Sequence, residues 1–338
     1  MKGRRRKMVS NRVLIAVLAA MLGSHSLHAA ERILVSSTRS NSLEDFTPAG
    51  TWVRTFATTG PYAPIATAQS PLTGEVFVTT EWTSGQPAGQ LSNVILRYHS
   101  NGQFDTNWDT FTVVCNVACP TSSTQSLIFD SFGNLWVATA YGTDAGGPIY
   151  LFKYLAADLT LPNPLPQPNP IAANLYRGNQ MAFDTAGDLC IASFISEDVQ
   201  CFNTSTGELT KDYGPEIQGA GLGIEPGGLA FDKDDRMYLT SIFTGQVVGE
   251  TKPGGPIVAL ATLISAPNLL NGNLVLRNSE LYVPTYYYPP PTVSTPDAIY
   301  EVSTSGTVKP FISGGAPPNL GNDHIWGANW LIFYSTTP

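Results

Sequence analysis

Charge is scarce in this sequence: Asp, Glu, Lys and Arg together make up 13% of its 338 residues. So few charges exclude a coiled coil, an acidic disordered protein and a polybasic nucleic-acid binder. Histidine is scarcer still. Beyond residue 30 only His99 and His324 remain, which restricts imidazole chemistry to two positions. No Gly-x-Ser-x-Gly elbow, His-Glu-x-x-His pair or phosphate-binding glycine loop occurs, so the common signatures of hydrolases, metalloproteases and nucleotide-binding proteins are missing. Long apolar runs are missing too: the run at 13–22 falls well short of the roughly 20 residues that span a bilayer. Outside it no segment carries a 3.6-residue apolar stripe, which excludes a helical fold.

What is present begins with a distinct leader. Lys2, Arg4, Arg5, Arg6, Lys7 and Arg12 precede the apolar run, and Gly23-Ser-His-Ser-Leu-His-Ala-Ala30 follows it. A basic segment, a short apolar core and a small-residue end predict a secretory signal peptide over residues 1–30. The remaining residues, 31–338, are expected to form one exported domain (periplasmic, extracellular or on the cell surface) with no membrane span. That domain keeps 12 basic against 26 acidic residues, a net charge of −14. Such a surface repels phosphate backbones, so nucleic acid is not expected as a partner.

Three segments share one frame: Gln125-Ser-Leu-Ile-Phe-Asp-Ser-Phe-Gly-Asn-Leu-Trp-Val-Ala-Thr139, Asn179-Gln-Met-Ala-Phe-Asp-Thr-Ala-Gly-Asp-Leu-Cys-Ile-Ala-Ser193 and Gly227-Gly-Leu-Ala-Phe-Asp-Lys-Asp-Asp-Arg-Met-Tyr-Leu-Thr-Ser241. Each reads as a strand, a turn opened by Asp130, Asp184 or Asp232, and a second strand, because Asp can accept hydrogen bonds from its own turn. Weaker copies occur at 65–79 and 273–285. The second strands are expected to start at Ile33, Val76, Leu135, Leu189, Met237 and Leu281, at intervals of 43, 59, 54, 48 and 44 residues. A second hairpin follows in most units, with turns such as His99-Ser-Asn-Gly102 and Lys252-Pro-Gly-Gly255. Four-stranded units at this spacing predict an all-β fold, a six-bladed β-propeller. The ends complement each other: residues 32–37 form a second-type strand lacking its first, and residues 329–334 a first-type strand lacking its second. Their pairing is expected to close the ring, leaving no open edge.

The Phe-Asp-x-x-Gly-Asn-Leu-Trp-Val-Ala frame at 129–138 resembles an NHL-type repeat and the related gluconolactonase and virginiamycin B lyase propellers. The resemblance covers residues 31–338 and implies the fold. Toward function it implies either a binding protein or a metal-assisted lactonase or lyase. The gluconolactonase-like pattern implies Ca²⁺ or Mg²⁺ held at the channel by a Glu in Gly-Glu-Gly-Pro and by Asn or Asp just before innermost strands. The matching positions here are Ala63, Gln125, Asn179, Gly227, Gly272 and Ala328, of which Asn179 fits a ligand, and no Glu stands in the required context. Asn271, Asn273, Asp323 and Asn329 are further oxygen donors nearby.

Within a blade, first-to-second and third-to-fourth turns share one face; second-to-third loops and blade-to-blade links share the other. The first set is short, the second long and varied, so a binding site is expected on the long-loop face. Its aromatic residues, Trp82, Tyr141, Tyr286, Tyr287, Tyr288 and Trp326, are the candidate contacts for a small molecule, carbohydrate or protein. Leu161-Pro-Asn-Pro-Leu-Pro-Gln-Pro-Asn-Pro170 reads as a stiff blade-to-blade link. His324, with Asp323 beside it, is the general-base candidate by elimination, whereas His99 lies in a short turn and reads as solvated. Cys190 and Cys201 straddle a hairpin and are expected to pair, leaving Cys115 with Cys119. The favoured function is non-catalytic binding with no cofactor; the alternative is a lactonase or lyase using Ca²⁺ or Mg²⁺.

Overall fold

The computed structural model describes residues 30–82, 94–106, 124–139, 148–263, 269–287, 297–313, 325 and 327–336, apart from the side chains at 81, 82, 269–271, 286 and 287. Six antiparallel sheets form the six blades expected from the repeats. Blade 1 orders β24 (Ala328–Ser335), β1 (Glu31–Ser37), β2 (Ser42–Phe46) and β3 (Trp52–Thr58) from the inside outward. Blade 2 has β4 (Tyr62–Gln69), β5 (Val76–Trp82) and β6 (Ile95–Tyr98), continued by a bridge from Tyr98 to Phe104. Blade 3 holds β7 (Thr124–Phe129), β8 (Leu135–Thr139), β9 (Ile149–Tyr154) and β10 (Ile171–Ala173). Blade 4 holds β11 (Gly178–Phe183), β12 (Leu189–Ser193), β13 (Asp198–Phe202) and β14 (Leu209–Asp212). Blade 5 holds β15 (Pro226–Phe231), β16 (Met237–Ser241), β17 (Gln246–Glu250) and β18 (Ile257–Thr262). In blade 6 the inner position is split into β19 (Leu269–Asn271) and β20 (Val275–Arg277), followed by β21 (Glu280–Tyr287), β22 (Ala298–Ser303) and β23 (Val308–Ser313).

The turns form as their residues dictate. Asp130 Oδ1 accepts from the backbone N–H groups of Phe132 and Asn134, Asp184 Oδ1 from Ala186 and Asp188, and Asp232 Oδ1 from Asp234 and Arg236. Gly133 and Gly187 supply the left-handed residue; in the third copy Asp235 takes that conformation, with φ 66°, which Asp tolerates better than most side chains. Apolar residues alternate toward neighbouring blades and fuse them into clusters, for example Val199 and Cys201 of blade 4 with Leu229, Leu239 and Val248 of blade 5.

Ring closure is as the complementary ends require. β24 pairs antiparallel with β1 from Glu31 opposite Ser335 to Ser37 opposite Ala328. Trp330, Leu331 and Tyr334 on β24 each join a different core cluster. Cys190 and Cys201 are direct cross-strand partners and form a disulfide. No helix among the described residues is long and apolar enough to cross a membrane. The leader at 1–29 and the pair Cys115 and Cys119 lie outside the described residues.

One expectation is corrected. The segment 161–170 does not link blades: β10 pairs with β9 as the fourth strand of blade 3, so this proline-rich stretch joins two strands of one blade, on the short-turn face. Link 213–225 contains a short helix, α1 (Gly214–Gly219), too brief to show a period in sequence.

Candidate functional site

The innermost strands start at the long-loop face, and each carries the same irregularity. In all six blades the inner strand slips by one residue against its neighbour: Ala328 pairs with Ser37 but Trp330 with Ser36, Thr124 with Thr139 but Ser126 with Ala138, and Gly178 with Ser193 but Met181 with Ile191. Blades 2, 5 and 6 repeat the slip between Pro64 and Thr67, Pro226 and Gly228, and Asn271 and Val275. A one-residue bulge turns the extra residue out of the ladder and re-aims its side chain. The bulged positions around the channel mouth are therefore Asn329, Ile65, Gln125, Asn179, Gly227 and Gly272. Ala63 and Ala328, matched to this ring by sequence, are displaced from it by the slip; Ile65 and Asn329 take their places. Gln125 Nε2 approaches Asn179 Oδ1 at 3.4 Å across the boundary of blades 3 and 4. A Cβ at Gly272 would overlap the Asn329 carbonyl, so glycine there permits blades 6 and 1 to approach.

Three amide side chains staple blades together, two beside this ring and Gln69 at the far end of β4, toward the short turns. Gln180 Nε2 donates to Leu274 O at 2.9 Å, and its Oε1 accepts from Leu274 N at 2.6 Å and Leu229 N at 2.9 Å. Asn273 pairs both ways with the Leu331 backbone at 2.8 and 2.9 Å. Gln69 does the same with Ser335 at 2.8 and 2.9 Å. Asn273 is thus a structural clamp, because both ends of its amide are committed to backbone groups. Among the described residues the ring and the staples supply amides, two glycines and the apolar Ile65, with no carboxylate or imidazole.

Beside the channel, the loops of blades 4 and 5 build an apolar ledge. Phe194 and Phe243 follow β12 and β16, and their rings meet edge to face with centroids 6.0 Å apart. The Arg177 guanidinium lies over the Phe194 ring, 5.3 Å from its centroid. Phe243 is 53% exposed and Ile195 46%. Ser196 Oγ accepts from Tyr176 N at 2.8 Å, and Ser193 Oγ donates to Tyr176 O, tying the Arg177 loop to the Phe194 loop. Arg177 and Glu197 have left-handed φ values of 62° and 51°, local strain held in place by those ties. Glu225 lies at the ledge's edge. Its carboxyl is pushed up by burial and then by the charge of Glu197, with the Phe243 N–H opposing. An exposed Phe243 against half-buried Phe194, with a stacked guanidinium, suits a flat apolar or aromatic surface.

The same blade carries a buried acid. Asp198 is 8% exposed; its Oδ2 accepts from Gln200 Nε2 at 3.1 Å, and its Oδ1 lacks a hydrogen bond. Burial, and then the charge of Asp212, raise its carboxyl to about 6. A raised acid stabilises the fold while protonated, and that contribution is lost as pH rises through about 6. Asp198→Asn is therefore expected to stabilise the protein by roughly 2 kcal/mol at neutral pH, shrinking toward zero near pH 4. Denaturant unfolding at several pH values measures this; a gain independent of pH would contradict it.

Of the aromatic candidates, Trp82 ends β5, and Tyr286 and Tyr287 end β21, where they pair with Leu270 and Leu269 as strand rather than loop. Tyr141, Tyr288, Trp326, Asp323 and His324 lie outside the described residues. Asn179 and Asn329 share the bulge ring, whereas Asn271 precedes it in β19. Arg177, Phe194 and Phe243 were not singled out in sequence. Their signal is weak, a residue just before an inner strand and two just beyond second strands; the β11–β12 register sets Arg177 opposite Phe194, and only the ring brings Phe243 to them.

No family model matches the chain, and no curated protein matches it in sequence. Solved structures match its fold. A protein of unknown function from Bacteroides caccae is similar at 12% identity with a TM-score of 0.62, covering 90% of this chain and 99% of that one. The nidogen/laminin complex contains a chain similar at 12% identity and 0.60, covering 91% and 100%. A streptogramin B lyase is similar at 13% identity and 0.52, covering 84% and 82%. These likenesses bear out the six-bladed architecture and the resemblance at the level of fold.

Proposed function

We propose that this chain is an exported propeller that binds a partner through its long-loop face, with the ledge of Arg177, Phe194 and Phe243 as an anchor. The observation that carries this reading is the exposed Phe243 ring against half-buried Phe194 under a stacked guanidinium, held by strained and tied loops beside the channel mouth. Buried aromatic and arginine anchors dominate binding energies when a partner covers them. The aromatic residues Trp82, Tyr141, Tyr286, Tyr287, Tyr288 and Trp326 would extend the surface around the mouth. Cross-strand Cys190–Cys201 pairing supports export. A complex and a lyase are both among the similar folds, so architecture leaves binding and catalysis open and the site must choose. A lactonase or lyase with Ca²⁺ or Mg²⁺ would draw Asn179 and Asn329 from the ring, but needs its acid and base from 321–324.

The test screens peptide and glycan arrays with the native protein and with the double variant Phe194→Ser, Phe243→Ser. Ligands found with the native protein are expected to bind the variant at least about tenfold more weakly, with an unchanged melting midpoint. Undiminished binding by a folded variant would place recognition elsewhere.

A further inference from the structure

The short-turn face of blade 2 gathers a second cluster unrelated to the ledge. β5 and β6 pair Val76 with Tyr98, which sets Glu75 opposite His99; the bridge from Tyr98 to Phe104 sets Asp105 opposite Arg97. Arg97 and His99 are two residues apart and share one side of the blade. Three chain segments thus bring an imidazole nitrogen of His99, a Glu75 oxygen and an Asp105 oxygen within 4.8 Å of one another.

The cluster is arranged in two shells. Asp105 Oδ2 is held by the Nε and terminal nitrogen of Arg97, and Arg97 is itself anchored on Leu159 O at 2.6 Å. Glu75 Oε2 accepts from Thr73 Oγ1 at 3.0 Å. Each carboxylate is steadied through one oxygen and brings the other near His99: Glu75 Oε1 is 3.7 Å from Nδ1 and 3.8 Å from Arg97 Nε, and Asp105 Oδ1 is 4.0 Å from Nε2. Those separations exceed a hydrogen bond. The two ring nitrogens point apart, so one ion takes a single nitrogen; the donor atoms of the three residues lie within 4.8 Å of one another, and small side-chain rotations bring each to the roughly 2.0–2.2 Å a shared cation requires. Hydrogen bonds to the far oxygens are the support that metal-ligating carboxylates require.

We propose that Glu75, His99 and Asp105 bind one divalent transition-metal ion of the zinc class. One imidazole nitrogen and two carboxylate oxygens make a borderline donor set, suited to Zn²⁺ and its neighbours rather than to Ca²⁺, which takes six or more oxygens. Arg97 offsets one of the two carboxylate charges, leaving the apo cluster near −1, so the site suits a single divalent ion. His99 is 45% exposed, which gives the ion an entry path and leaves a coordination position for water. Bound there, the ion cross-links three strands of blade 2 and stabilises the folded state by mass action.

The chelator-treated protein is titrated with Zn²⁺ by calorimetry and with Co²⁺ by visible absorption, which reports coordination directly. The expected result is one equivalent bound, a Co²⁺ spectrum of low coordination number, and a melting midpoint that climbs with added Zn²⁺. His99→Ala and Glu75→Gln are each expected to weaken binding at least about tenfold while folding normally, because neither side chain is buried. His324→Ala serves as the control and is expected to bind as the native chain does. No binding by the native protein up to about 1 mM Zn²⁺, or undiminished binding by folded His99→Ala, overturns the proposal.

Discussion

Deleting residues 328–338 is expected to abolish cooperative folding, although only the last of the 24 described strands is removed. β24 is the inner strand of blade 1, and without it the whole inner edge of β1 is unpaired. The loss spreads further, because Trp330, Leu331 and Tyr334 belong to three separate core clusters. It also releases both staples on this strand, Asn273 to Leu331 and Gln69 to Ser335. Three large buried side chains, at roughly 2–5 kcal/mol each, exceed the 5–15 kcal/mol by which most domains are stable once the lost ladder is added. Thermal unfolding followed by near-ultraviolet circular dichroism should show no sigmoidal transition in the truncated chain. A synthetic peptide of residues 325–336 added in trans is expected to restore one by refilling the gap. A truncated protein that melts within a few degrees of the intact one would show that the ring does not depend on its closing strand.

Gln180→Ala is expected to cost about 4 kcal/mol, far more than the truncation of a typical polar side chain. The amide reaches from blade 4 to blades 5 and 6 and serves two backbone donors and one acceptor, all buried. Alanine leaves Leu229 N, Leu274 N and Leu274 O unsatisfied, at roughly 1–3 kcal/mol each. Gln180→Glu separates this mechanism from simple loss of packing. Above its own titration the carboxylate can accept both N–H groups but presents a charge to Leu274 O where the amide donated. Protonation restores a donor, so the Glu variant should recover stability on acidification while the Ala variant should not. Denaturant unfolding at neutral and mildly acidic pH reads both; a cost below about 1 kcal/mol for Gln180→Ala would mean that water replaces the amide.

Sequence and structure agree where the information is local. Asp130, Asp184 and Asp232 open their turns because a short carboxylate can bond to the next few backbone amides, a property that needs nothing distant. Val76, Leu135, Leu189 and Met237 begin their strands as expected, since period-two alternation announces a half-buried strand wherever it occurs. Cys190 and Cys201 could be paired in advance because a tight hairpin determines which residues face each other. The same reasoning would have set Glu75 opposite His99, but not Asp105, whose position depends on the chain returning beside β6 at Phe104.

By itself, then, the sequence determined the repeat, the number of blades and the way the ends complete each other, because turn chemistry and strand alternation act over a few residues. Tertiary structure decided which side chains meet. The one-residue slip in every inner strand moved the channel ring from Ala63 and Ala328 to Ile65 and Asn329, and alternation cannot register a residue that pairs with nothing. The β11–β12 register set Arg177 opposite Phe194 within blade 4, whereas curving six sheets around one axis brought Phe243 to them from the next blade and spread Gln180 across three blades. Those contacts between blades arise from closure of the ring, whose geometry no single blade contains.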